Sequence, residues 1–262
     1  MTPSPELYMK VLIREGVGDC YQLSKVFRNA EHDGPRHHPE FTLLEWYAME
    51  RDYLDNLAIT QALLKTLAPS AHPAVRHLFE SFTEVTMQEV FLDTTGIDLN
   101  QCEAFDGFVE AAIRAGYADY ALRSTEWEEL FNRIFISDVE PKLPLDKTVF
   151  LKDYPAQIPT TARREGAVYE RWEFYMNGWE MGNCYTEESR YDEMHALFRR
   201  EQALKAKMMT PHPVDFDYLD IFDGAFPMCS GVAMGVDRVF AVHQHADSLD
   251  AVSLFPFGTP LK

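Results

Sequence analysis

Apolar and polar residues follow two different periods along the chain, and each change of period marks an element. Residues 40–50 alternate. Phe41, Leu43, Glu45, Tyr47 and Met49 fall on one face of a strand, because successive strand side chains point to opposite sides. Residues 19–28 also read as a strand. Polar residues 29–39, with Gly34-Pro35, form the loop that joins the two into a long hairpin. Residues 5–13 and 54–67 read as helices. The stretch 69–145 is helix-rich, broken at Thr95-Gly96 and Ala115-Gly116, and reads as a helical insertion. Residues 147–152 form a short strand. Two more strands, 168–176 and 179–185, are joined by Asn177-Gly178, a dipeptide favoured in two-residue hairpins. A helix with mixed charges follows at 191–208, then a strand at 231–235 running into a helix at 237–243. Strands and helices follow without βαβ alternation. The expectation is an α+β fold, an antiparallel sheet flanked by helices, with the whole of 1–262 as one unit around the insertion.

Composition narrows the functional classes. Apolar residues make up 46% of the chain, enough for a sizeable core. The formal charge is −18, from 42 acidic and 24 basic residues. A domain built to grip nucleic acid carries a basic face; this balance suits a cationic partner better. Cys20, Cys102, Cys184 and Cys229 lie far apart without a CxxC pair, which argues against a zinc ribbon or disulfide framework and for a reduced cytoplasmic protein. No apolar run approaches ~20 residues, so no membrane span is expected. The opening MTPSPELYMK lacks the regions of a signal peptide. Neither GxxxxGK[ST] nor GxGxxG occurs. His37-His38, His243 and His245 have no cysteine or carboxylate at metal-ligand spacing.

Three segments hold candidate chemistry. Glu45 lies between aromatics on a face that should be buried, which is costly unless it meets a cation. That cation is either a structural Arg or Lys or a ligand's ammonium group. Arg28 enters the same hairpin from the other strand, and its guanidinium can clamp a phosphate through two parallel hydrogen bonds. In the second hairpin Glu173, Glu180 and Glu187 recur every seven residues. Mg²⁺ needs one or two carboxylates beside phosphate oxygens; the plainer alternative is solvated strand residues. Strict alternation puts Asn183 and Glu187 on one face and Glu180 on the other, so a shared site requires a bulge, expected at Gly182. In the third segment Gly231, Ala233 and Gly235 would let a flat ligand approach the backbone, or serve packing alone. Arg238 falls at a helix start, where N–H groups favour anions.

Taken together, these segments resemble motifs two and three of the class II aminoacyl-tRNA synthetases, with the lysine-type segment between them. FRNAEHDGPRHHPEFTLLEWY, WEFYMNGWEMGNCYTEE and GVAMGVDR are similar to the lysyl family's FRNE…HNPEFTMMEFY, FEFF…EIGNGFSEL and GIGIDR. PELYMKVL is similar to its PELYLKRL. The lysyl enzymes also bear an N-terminal OB-fold that reads the anticodon, and nothing here matches it. The nearer resemblance is to short paralogues that ligate β-lysine to a lysine of elongation factor P.

The resemblance implies roles position by position. Arg28 would hold the α-phosphate of ATP, Arg238 the γ-phosphate, and Phe41 would stack on adenine. His37 and Gly235 would line the ATP site, joined by Glu31 next to Ala30, which stands where the family has its motif-two glutamate. Glu173 and Glu180 would bind Mg²⁺. Glu6 would meet the substrate's amino group and Asn183 its carboxylate. Glu45, Tyr47 and Glu187 would enclose the side-chain ammonium. The implied substrate is lysine or β-lysine, with elongation factor P rather than tRNA as acceptor; a homodimer is allowed. The chain departs from the pattern in four ways. The motif-one helix and strand have no counterpart, and Ala30 replaces the glutamate. His38 stands for Asn. Gly182 is as in the tRNA enzymes where the factor-modifying paralogues have Ala, with Cys184 beside it where Gly is usual. These departures leave open the lysine isomer, a catalytically impaired or regulatory paralogue, and transfer to another acceptor.

Overall fold

The computed structural model describes residues 2–28, 34–206, 213–224 and 226–256. Its centre is an eight-stranded sheet. The first hairpin pairs β1 (Cys20–Phe27) with β2 (Glu40–Met49), in a register that sets Gln22 opposite Glu45. β2 also pairs with β8 (Cys229–Gly235), which pairs with β7 (Trp179–Thr186). β7 and β6 (Val168–Met176) meet through Asn177 and Gly178, both at positive φ (52° and 72°), the conformation that a tight hairpin between twisted strands demands. β4 (Thr148–Pro155) continues the sheet beyond β6, and the short β5 (Arg164–Glu165) pairs β6 off the main path.

The stretch 69–145, expected to be helical, also contributes a strand. β3 (Phe82–Thr86) pairs in parallel with β4, the one parallel pair among the described strands. It is five residues long and turns at once into α3 (Met87–Thr95), whose start Thr86 and Glu89 close as a capping box. The rest of the stretch is helical: α4 (Phe105–Arg114), α5 (Ala118–Arg123), α6 (Trp127–Ile134) and a π-helical turn, Phe135–Val139. These build a core of their own around Phe91, Phe108, Trp127 and Phe131, with the Phe91 and Phe131 rings stacked at 5.2 Å. That core packs on Val149, Leu151 and Tyr175, so this helical stretch covers the β4–β6 end of one sheet face.

The opposite face is buried under α2 (Tyr53–Leu67) and α8 (Val236–His243), against Phe150, Trp172, Phe174, Cys184, Val232 and Met234. A third cluster covers the β2 end of the first face. It joins α1 (Glu6–Arg14), the 3₁₀ turn Asp217–Phe222 and Met194 of α7 (Tyr191–Lys205) to Tyr47 and Cys229. The last residues expected in that helix, 207 and 208, lie outside the described residues. The first face is thus walled at both ends and left for chemistry between them. No described helix is long and apolar enough to cross a membrane.

Candidate active site

Register builds the floor of the site. Glu45 of β2 lies opposite Ala233 of β8, which lies opposite Asn183 of β7, which lies opposite Glu173 of β6. Directly opposed residues share a face, so these four form one row across four strands. At ~4.8 Å per strand, the Glu45 and Asn183 backbones lie ~10 Å apart, room for an extended long-chain amino acid but more than a small one needs. A second row runs Tyr47, Gly231, Tyr185, Arg171. Glu180 joins the same face through a bulge: Phe174 opposes Gly182 but Tyr175 opposes Glu180, leaving Met181 as the extra residue. The bulge falls one residue before the position expected from parity.

One cleft, enclosing about 560 Å³ with its open mouth included, is lined by Arg28, His37, Phe41, Glu180, Asn183, Gly235 and Arg238. The structure therefore brings both arginines and most of the expected ATP residues to a single opening. Glu31 and Ala30 lie outside the described residues. Arg28 stacks over Phe41, with its guanidinium carbon 5.2 Å from the ring centroid. Arg238, in the first turn of α8, is held by two backbone carbonyls. Its Nε donates to the Arg36 oxygen at 3.1 Å and its Nη1 to the Glu180 oxygen at 2.9 Å. Arg36 also lines the cleft, donating to the Gly178 carbonyl at 2.7 Å and lying over Trp179. Sequence reasoning passed over it, although it stands directly before His37. His38 reaches Asp250 at 2.9 Å and so ties the hairpin loop to the C-terminal turn.

The inner end of the face holds the carboxylates. Ser4 Oγ donates to Glu45 at 2.8 Å. Burial raises the Glu45 carboxyl to about 7; the Ser4 hydrogen bond opposes the rise, Glu6 adds to it, and Arg28 and Lys10 oppose it. Tyr47 is buried among the same carboxylates, and burial pushes its phenol well up, so it stays neutral. Two expected roles change here. Glu6 and Glu187 are both already engaged by Lys10, whose ammonium lies 2.6 Å from one and 2.7 Å from the other. Burial alone would lower the Lys10 pKa, but the Glu187 and Glu6 charges outweigh it and hold the ammonium well above its ordinary value. Lys10 was missed by sequence reasoning; its visible signal was the four-residue spacing from Glu6 on one helix face. Gly231 does not serve ligand approach. A Cβ there would stand 2.5 Å from the Tyr47 ring, so its space is taken by that side chain.

The expected Mg²⁺ pair divides as well. Glu173 accepts from Tyr154 at 2.6 Å, from Tyr175 at 2.7 Å and from Arg171. Three of its roughly four lone-pair directions are therefore used. Glu180 makes no such side-chain bonds among the described residues. Burial, then the Glu173 charge, raises its carboxyl to about 7, while Arg238 and Arg171 pull it down. A carboxylate disfavoured in this way gains most from a cation. Glu180 thus fits Mg²⁺ that brings phosphate oxygens of its own, and Glu173 offers it one direction at most. No group of three or more metal-binding side chains occurs among the described residues.

Two arginines at one cleft, a sheet as its floor and a cluster of buried carboxylates at the inner end narrow the class of protein, and comparison with known proteins gives it. The family described as tRNA synthetases class II (D, K and N) matches residues 1–259. The chain belongs to that family, as an ATP-dependent ligase of the class II synthetase type. More particularly, it is similar to proteins named elongation factor P--(R)-beta-lysine ligase. The one from Vibrio parahaemolyticus serotype O3:K6 is 32% identical over 265 residues, covering 97% of this chain and 76% of the relative. Those from Vibrio cholerae serotype O1 and Yersinia enterocolitica serotype O:8 are each 32% identical, covering 97% and 98% of this chain and 76% and 77% of the relatives.

Proposed function

We propose that the chain activates lysine or β-lysine with ATP as an aminoacyl-adenylate and transfers it to a lysine of elongation factor P. One arrangement supports this reading above the rest. Arg28 and Arg238 line the same cleft as Asn183, and Glu45 stands on the row that runs through Asn183. An amino acid with its carboxylate at Asn183 and its side-chain ammonium toward Glu45 presents that carboxylate to the α-phosphate beside Arg28. A carboxylate oxygen then attacks the α-phosphorus and pyrophosphate leaves. Arg28 stabilises the charge that develops there, an interaction strongest in the transition state. In the second step the acceptor's neutral amine attacks the acyl carbon and AMP leaves. Mg²⁺ held by Glu180, with Glu173 behind it, would neutralise charge on the outgoing phosphates. The −18 formal charge favours a protein acceptor over a polyanionic tRNA.

ATP–pyrophosphate exchange with lysine, β-lysine, arginine and methionine tests the first step. Exchange is expected with lysine or β-lysine alone; exchange with none of the four removes the enzymatic reading. Transfer of radiolabelled amino acid is expected onto elongation factor P and not onto tRNA. Label on tRNA reverses the acceptor.

A further inference from the structure

We propose that Lys10 is a specificity-determining residue: a resident ammonium that sets the net charge of the amino-acid pocket and so restricts it to substrates with two amino groups. The inference rests on the reading of the site as one for a lysine-type substrate, and deepens it. Lys10 is 2% exposed, and its ammonium lies between Glu6 and Glu187. Glu45, equally buried, accepts a hydrogen bond from Ser4 but forms no ion pair among the described residues. With every group ionised the three carboxylates give −3 and Lys10 gives +1, leaving −2.

Two ammonium groups on one substrate match that remainder. A monoamino acid leaves one buried carboxylate without a counter-charge, which a closed site tolerates poorly. Without Lys10 even a diamino acid would fall one charge short. The count is complete above about pH 7, because burial raises both the Glu45 and the Glu187 carboxyls to about 7, and the other titratable groups nearby do not alter it. Tyr47, Tyr218 and Cys229 are all pushed up, chiefly by burial, and stay neutral. Arg28 feels Glu45, but in the proposed reading it faces the substrate carboxylate and α-phosphate, which bring their own negative charge. Tyr218 adds an independent sign that this corner is built for polar contact. Its hydroxyl is buried without a hydrogen-bond partner among the described residues, and it interacts electrostatically with Lys10, Glu6 and Glu187.

The test is a charge-balance series in ATP–pyrophosphate exchange, with lysine and β-lysine as diamino substrates and norleucine as the monoamino probe. Lys10→Met makes the pocket −3 and Glu187→Gln makes it −1. Each is expected to raise the KM for the diamino substrate about tenfold or more, with a smaller change in kcat, since removing one partner strands a buried charge. Lys10→Met/Glu187→Gln restores −2 and is expected to recover a KM below that of either single variant. Lys10→Arg keeps the charge and is expected to stay within a few-fold of wild type. Glu187→Gln alone is expected to narrow the preference over norleucine. A double variant no better than the worse single, or Lys10→Arg as impaired as Lys10→Met, overturns the inference while leaving the proposed function standing. Should Lys10→Met fail to fold, the two charge-balanced variants decide alone. Wild-type protein that exchanges with neither diamino acid sinks both readings.

Discussion

Replacing Glu45 with Gln should make the ligand-free protein more stable and a worse enzyme, by amounts that depend on pH. Gln keeps the shape of the side chain and can still accept from Ser4 Oγ, now at 2.8 Å from the carboxylate, but it removes the charge. Burial, reinforced by Glu6, raises the Glu45 carboxyl from 4.5 to about 7. The folded state therefore binds this proton more tightly than the unfolded chain does. The stability this group contributes is full below about pH 4.5 and is lost as pH rises through 7. At about 1.4 kcal/mol per pH unit, the loss is roughly 3 kcal/mol at pH 8 and roughly 1 kcal/mol at pH 5. Glu45→Gln should escape it, so its advantage over wild type should be about 2 kcal/mol larger at pH 8 than at pH 5. Urea denaturation of both proteins at the two pH values reads this directly. The same variant should raise the KM for the diamino substrate in exchange. An equal or smaller gain at pH 8 than at pH 5 would refute the burial argument, and an unchanged KM would remove Glu45 from the pocket.

The remaining expectations concern other parts of the site. Arg28→Ala should cost adenylate formation about 3 kcal/mol of transition-state stabilisation, about a hundredfold in kcat, with the melting temperature unchanged; a near-wild-type rate counts against its place at the α-phosphate. Gly182→Ala should destabilise the fold by about 1–3 kcal/mol in urea titration, the usual cost of overpacking. The added Cβ would stand 2.4 Å from the Ala233 carbonyl oxygen and 3.0 Å from Met234 Cα, both backbone atoms that cannot swing aside, so unchanged stability would refute this account of the bulge. In wild-type protein the KM for the diamino substrate should fall as pH rises through about 7 and Glu45 and Glu187 ionise; a flat profile across that range would show that neither carboxylate receives the ammonium.

What could be read from the sequence was local, and what could not was set by register. The alternation of residues 40–50 marks β2, and Asn177-Gly178 marks the turn between β6 and β7, because both depend on neighbours in the chain. Parity even demanded a bulge in β7, since Glu180 and Asn183 could not otherwise share a face; only its position moved, to Met181. β3 escaped notice because five residues with a helix following at once give too short a period to detect. Lys10 was hidden differently. Its spacing from Glu6 was visible, but Glu187 lies far along the chain, and only the folded sheet brings it to 2.7 Å.

The small residues make the same point more sharply. Gly231 looked like a gap for a ligand, yet the Tyr47 ring from the adjacent strand fills it. Gly182 looked like a choice between substrate isomers, since related factor-modifying enzymes carry Ala at the matching position. In this chain the bulge presses the β7 backbone against the Ala233 carbonyl and leaves no room for a methyl group. Sheet packing alone accounts for the glycine, so its identity says nothing about which lysine isomer is bound. On the proposed reading, discrimination between isomers falls instead to Glu6, which the resemblance assigns to the substrate's amino group and which Lys10 holds at 2.6 Å.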